Sequence, residues 1–259
     1  MENKIERQRE HFNSIAHRYE EGREDANHKR IKHLIWSSAL GRLGGLKGRP
    51  VRMLEAMCGY AEGLDLAENI AGLECDYHGF DYSEVIVSDL KQRMPDADIW
   101  QADATTYKPT SGEFDLMFLI GGLHHVPDNA AGVVRNLADG LAPGGMFVSF
   151  EPTHGNPVFK AVRDRIYSTN EIFDEATERA FPVEEYLGFF RNAGLEPVHV
   201  SYPGLLAYVL YYNTYAFPFF NRGGTGMVDR VFALDRIFMN SFVGRIFSFA
   251  TVTIWQKPA

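Results

Sequence analysis

Apolar residues in this chain fall in short continuous runs, separated by segments with helical spacing. The stretches at 51–56, 75–81, 97–103, 113–120 and 141–151 predict five strands, the first, fourth and fifth of them mostly apolar. The stretches at about 62–71, 83–93 and 129–140 predict the helices between them, with Ser83 as an N-cap. Strands spaced by single helices imply a parallel sheet, because a parallel neighbour needs a crossover connection. The run 113–120 is strongly apolar, as a central strand covered on both faces should be. Ahead of this core, 4–22 and about 27–42 read as helices, and Gly44, Gly45, Gly48 and Pro50 break the chain after them. Behind it, 156–195 is mainly helical with Gly194 as a stop, and 195–201 and 250–256 read as the last two strands.

The first strand runs into a turn that organises the rest. Glu55 sits at the strand's end and Gly59 sits in the turn, where glycine permits a positive φ and close approach of a ligand. A dinucleotide fingerprint would place glycines for a pyrophosphate; here Met57 stands at the first glycine position. Glu62 at the helix entrance would repel a phosphate, and the carboxylate of Glu55 with no lysine in the loop favours a cationic or zwitterionic ligand. Asp81 ends the second strand and Asp103 the third. Three acids at successive strand ends face one crevice in an open α/β sheet, and the second can accept from ribose hydroxyls.

Composition narrows the partners. The 259 residues carry a net charge of -8, which argues against sequence-independent nucleic-acid binding. The two cysteines, Cys58 and Cys75, make a disulfide framework or zinc site unlikely to organise the fold, and the histidines match no metal-binding motif, so no metal is expected. The charged start lacks the apolar region of a signal peptide, which sets a cytoplasmic location as the expectation.

Five segments in order resemble the class I S-adenosylmethionine (SAM)-dependent methyltransferase family, of small-molecule type. They are the turn from Glu55 to Gly59, the Gly79-Phe-Asp81 strand end, Asp103-Ala104, the segment 114–128 with its Gly-Gly-Leu-His-His-Val-Pro exit, and Leu141-Ala-Pro-Gly-Gly145. Residues 12–19 also resemble the family's entry helix. The resemblance implies a Rossmann-like sheet of seven mostly parallel strands with helices on both faces. It implies SAM as cofactor and S-adenosylhomocysteine as product. Gly59 would lie against the methionine part, with Glu55 at its amino end. Asp81 would bind the ribose, Tyr82 would pack on the adenine, and Asp103 and Ala104 would meet its edge. Ile120 and Gly121 would line the sulfonium region. Met57 and Ala61 depart from the family by replacing glycines.

His125 follows the fourth strand and is the first candidate for a base or acceptor-positioning residue; Glu151 and His154, at the end of the fifth, are the others. The chain divides into an N-terminal helical segment (1–48) that can lid the site through Tyr19, a core (49–202 and 250–259), and an apolar insert (203–249). The insert reads as a cap or a homodimer interface in preference to an acceptor pocket or a membrane-surface patch. The expected activity is methyl transfer to a hydroxyl or amine of a small-molecule acceptor. A non-catalytic SAM-fold binding module and a Rossmann-type oxidoreductase are the alternatives.

Overall fold

A computed structural model of the chain describes Glu6, Arg9 and residues 23–169, 178–214 and 217–259. Tyr19, the expected lid residue, lies outside the described residues, as do most of the expected helix at 4–22 and Tyr215 of the insert.

The sheet is built from β1 (Pro50–Ala56), β2 (Glu74–Asp81), β3 (Asp98–Gln101), β4 (Phe114–Ile120), β5 (Leu141–His154), β7 (Glu196–Ser201) and β8 (Ala250–Gln256). Their order across the sheet is β3-β2-β1-β4-β5-β8-β7, and a two-residue strand, β6 (Phe181–Pro182), pairs with the end of β5. β1 to β5 run parallel, while β8 is antiparallel to both β5 and β7. The chain moves outward from β1 through β2 to β3, then returns to lay β4 on the other side of β1. That reversal opens a crevice beyond the carboxyl ends of β1 and β4.

The continuous apolar runs are explained by two covered faces. Successive residues of a strand point to opposite sides. Thus Met53, Phe118, Val148 and Ile254 join one core cluster. Leu54, Met117, Phe147 and Trp255 join the other. The first face is covered by α1 (Ala26–Ala39), α2 (Glu62–Asn69) and α3 (Glu84–Arg93) together with the insert. Trp36 of α1 is fully buried there between Phe118 and Phe150. The second face is covered by α4 (Ala130–Gly140) and α6 (Val183–Asn192), where Phe190 stacks on Trp255 at 5.2 Å between centroids. Ser83 caps α3 by accepting from the Ile86 amide at 3.2 Å, and Asp25 caps α1 in the same manner.

α5 (Pro157–Thr169) follows β5. The stretch between β7 and β8 holds three helices, α7 (Leu206–Tyr211), α8 (Thr225–Phe238) and α9 (Phe242–Phe247). α7 and α8 pack on α1, and paired side chains fasten α8 and the loop before it: Asn27 donates to Asn221 and the Gly223 carbonyl, and Arg30 pairs with Asp229 at 2.6 Å. The ring of buried His28 meets the Tyr212 carbonyl, and burial lowers the His28 pKa to about 4. A neutral imidazole therefore sits in this seam at physiological pH.

Candidate active site

The β1–α2 turn is held in an unusual backbone shape. Met57, Gly59 and Ala61 all have positive φ, at 53°, 51° and 61°. Met57 and Ala61 thus hold the left-handed geometry that glycine adopts without strain. Each non-glycine residue there costs about 1 kcal/mol or more through contact of Cβ with the backbone. At Gly59 a side chain would meet nothing within 4 Å, which leaves the inside of the turn open for a ligand. Gly63 is constrained in the opposite way, since a Cβ would come within 2.8 Å of the Glu55 carboxyl and 2.9 Å of Phe118. Only glycine lets α2 begin this close to the sheet.

Glu55 is fully buried below that turn. Its Oε1 accepts from the Gly63 amide at 2.6 Å, and its Oε2 accepts from Leu64 and from the Tyr77 hydroxyl at 3.0 Å. Two of the free amides at the start of α2, those of Gly63 and Leu64, are thus taken up by Glu55. Burial raises the Glu55 pKa to about 8, against the lowering effect of those donors.

Asp81 at the end of β2 receives the Gly59 amide at 3.0 Å and the Ser83 amide at 2.9 Å. Burial raises its pKa, while the amides oppose the shift. Asp103 lies two residues past the end of β3, not within it. Its Oδ1 accepts from the Thr105 amide at 2.8 Å and hydroxyl at 2.7 Å, a local turn that competes with strand extension. Tyr82 donates to Glu6 at 3.2 Å, and Arg9 lies 5.8 Å from its ring centre.

A cavity of about 640 Å³ occupies the crevice. Its lining includes Glu55, Gly59, Asp81, Tyr82, Asp103, Ala104, Ile120, Gly121 and His125. The expected cofactor residues within the described chain are therefore brought together in one place. Volume and lining suit an adenosyl ligand: small-molecule sites run to roughly 300–1,000 Å³, with a few polar groups set in apolar walls. The mouth carries Arg23 and Lys32, both paired with Glu62. Burial pushes the Glu62 pKa up, but Arg23 and Lys32 outweigh it and hold it below the usual range. Glu62 is thus a balanced charge, a correction to its reading as a barrier to anions.

The other expected catalytic residues are placed differently. Glu151 is buried outside this lining. Its Oε1 accepts from the Gly122 and Leu123 amides at 2.9 and 2.7 Å, and its Oε2 meets His124 Nδ1 at 2.9 Å. Burial raises the Glu151 pKa to about 7 and drives that of His124 well down, so the neutral imidazole is favoured. These bonds tie β5 to the exit loop of β4. His154 also lies outside the lining, where β5 pairs with β6. Sequence reasoning gave no role to Glu178. Its Oε1 stands 3.4 Å from His125 Nδ1, and no local motif marks it. The ring of His124 lies against that of His125, 3.8 Å between centroids.

Residues 53–145 match the family model described as a methyltransferase domain. That stretch is a little over a third of the chain, and it is similar to the class I SAM-dependent methyltransferase family. SAM is the cofactor of that family. A Mycolicibacterium smegmatis protein named "Probable S-adenosylmethionine-dependent methyltransferase" is 28% identical over 164 residues. The match spans 61% of this chain and 61% of that relative, less than two thirds of its length. A chain of the complex formed with the Haloferax volcanii Trm112 methyltransferase activator superposes with a TM-score of 0.61 at 17% identity, over 97% of each chain. The [4+2]-cyclase SpnF gives a TM-score of 0.59 at 18% identity, over 86% of this chain and 80% of its own. At those identities the likeness is one of fold and nothing finer.

Proposed function

We propose that the chain is a SAM-dependent methyltransferase that acts on a hydroxyl or amine of a small-molecule acceptor by direct displacement. The observation that supports this reading is the single cavity in which the Gly59 turn, Asp81 and Asp103 meet His125. When bound, SAM supplies a methyl carbon already activated by its sulfonium. Asp81 would accept from the ribose hydroxyls and Asp103 from the adenine amino group, with Tyr82 and Ala104 beside the ring. Gly59 would let the methionine part approach the backbone, and Ile120 and Gly121 would line the reacting end. His125 would orient the acceptor and, for a hydroxyl, take its proton at Nε2. Glu178 beside Nδ1 would fix the ring for that task. The walls would exclude water and align the acceptor, the two contributions that matter most for a displacement of this kind.

The test is calorimetric titration with SAM, S-adenosylhomocysteine and NADPH, followed by methyl-transfer assays over hydroxyl and amine acceptors. Binding of both adenosyl ligands, no binding of NADPH and turnover of at least one acceptor are expected. No affinity for either adenosyl ligand overturns the reading. Tight binding without turnover over the whole panel overturns its catalytic part in favour of a binding module.

A further inference from the structure

Residues 203–249 carry apolar side chains on two sides. Inward, Tyr208, Tyr211 and Tyr212 of the α7 region and Val228 and Phe232 of α8 are buried. Outward, Phe219, Ile237 and Phe242 are 72%, 68% and 71% exposed. On α8 the two sets keep helical spacing, with Val228 and Phe232 facing in and Met227, Leu234, Ile237 and Phe238 facing water. The ridge continues across neighbouring helices. α8 packs on α9, and the exposed Phe247 of α9 meets Phe159 of α5 at 5.8 Å between ring centres. Val158 beside it is also exposed. An apolar surface shared by three elements marks an interaction face.

Charge selects the occupant. The chain as a whole carries -8, yet Arg222 and Arg230 stand exposed beside this ridge, and Arg236 is exposed on the same helix. Arg222 lies 4.7 Å from the Phe219 ring centre. The acids of α8 do not offset them: Asp229 is engaged by Arg30, and buried Asp235 accepts from the Ala207 amide at 2.6 Å. A second copy docked through the same face would set these like charges against each other. An anionic lipid surface satisfies both features, because its interface takes apolar side chains while its headgroups attract arginine. No helix of the described residues is long and apolar enough to cross a membrane, so contact would be in the plane of the surface. We propose that the ridge formed by 217–220, α8, α9 and the exposed start of α5 docks on an anionic lipid bilayer.

Vesicle co-sedimentation of the full chain tests this, with phosphatidylcholine vesicles compared with vesicles holding one third phosphatidylglycerol. Partitioning onto the anionic vesicles alone, weakened by added salt, is expected. Arg230→Gln with Arg236→Gln should reduce it up to roughly twenty-five-fold, at about fivefold per arginine near such a surface. Ile237→Asp with Phe242→Asp should abolish it. Both variants alter exposed side chains, and unchanged melting curves would show that the fold is kept. Failure of the native chain to sediment with anionic vesicles overturns the proposal, as does native-like partitioning of both variants. A dimer in light scattering that Ile237→Asp with Phe242→Asp dissolves also overturns it, in favour of a second copy.

Discussion

Nδ1 of His125 and Oε1 of Glu178 lie 3.4 Å apart beside the cavity, although the two residues come from separate segments of the chain. The backbone brings them together, since the Arg179 amide donates to the His124 carbonyl at 3.0 Å. If the acceptor is a hydroxyl, His125→Ala should lower kcat by about a hundredfold or more, the range of a lost general base. SAM affinity should stay within about twofold. Added imidazole should restore part of the rate. Glu178→Gln should lower kcat less, because it disturbs the ring's orientation and leaves the base in place. Rapid-quench and binding measurements on the same preparations check the split.

Asp81 ties the Gly59 turn to the end of β2 and is the expected ribose ligand. Asp81→Ala should weaken SAM binding by about 1–3 kcal/mol through lost hydrogen bonds. Asp81→Asn should weaken it less, since one acceptor oxygen survives. Unchanged affinity in calorimetry would remove Asp81 from the cofactor contacts.

Ala61 holds a φ of 61° just before α2, where glycine would be unstrained. Ala61→Gly should stabilise the fold by about 0.5–1 kcal/mol, the left-handed strain relieved less the added freedom of glycine when unfolded. Urea denaturation reads the change in midpoint, and a loss of stability would show the methyl's packing to matter more.

Glu55 gives the chain a pH signature. Its folded pKa of about 8 exceeds the ordinary 4.5, so the native state binds more protons between those values. Its stabilising contribution is fully present below pH 4.5 and is lost as pH rises through 8. Neutral buried His28, with a pKa of about 4, acts oppositely and gains stability for the fold only up to its ordinary 6.5. Between pH 6.5 and 8 Glu55 and Glu151, the latter raised to about 7, therefore act in the same direction, and stability should fall by on the order of 2 kcal/mol. Glu55→Gln should flatten that decline, which melting curves across the pH range would reveal.

Much of this architecture can be read from residues alone, for a physical reason. β4 and β8 are covered on both faces, so their sequences are rich in apolar and β-branched residues, and the ends expected at 120 and at 250–256 coincide with the structure. Ser83 is equally plain, because capping is a local bond. β3 stops at Gln101, short of the expected 103, because Asp103 and Thr105 turn the chain with their side chains. β6 could not be foreseen, as two residues pair with Thr153 and His154 only through the tertiary fold. Glu151 was expected to face the crevice from its strand end, but the amides of Gly122 and Leu123 claim its carboxylate. Glu178 lies near His125 only after the chain returns, and nothing around it announces that contact.

The bonds from Asn27 and Arg30 to Asn221, Gly223 and Asp229 carry one more consequence. The same helix that supplies Lys29 and Lys32 to the cavity mouth is anchored to the late, aromatic part of the chain. Grafting that part from a relative would therefore reseat the entrance as well. Donor affinity and acceptor preference would then be inherited as a package, and a minimal enzyme cut to residues 53–145 would lose both.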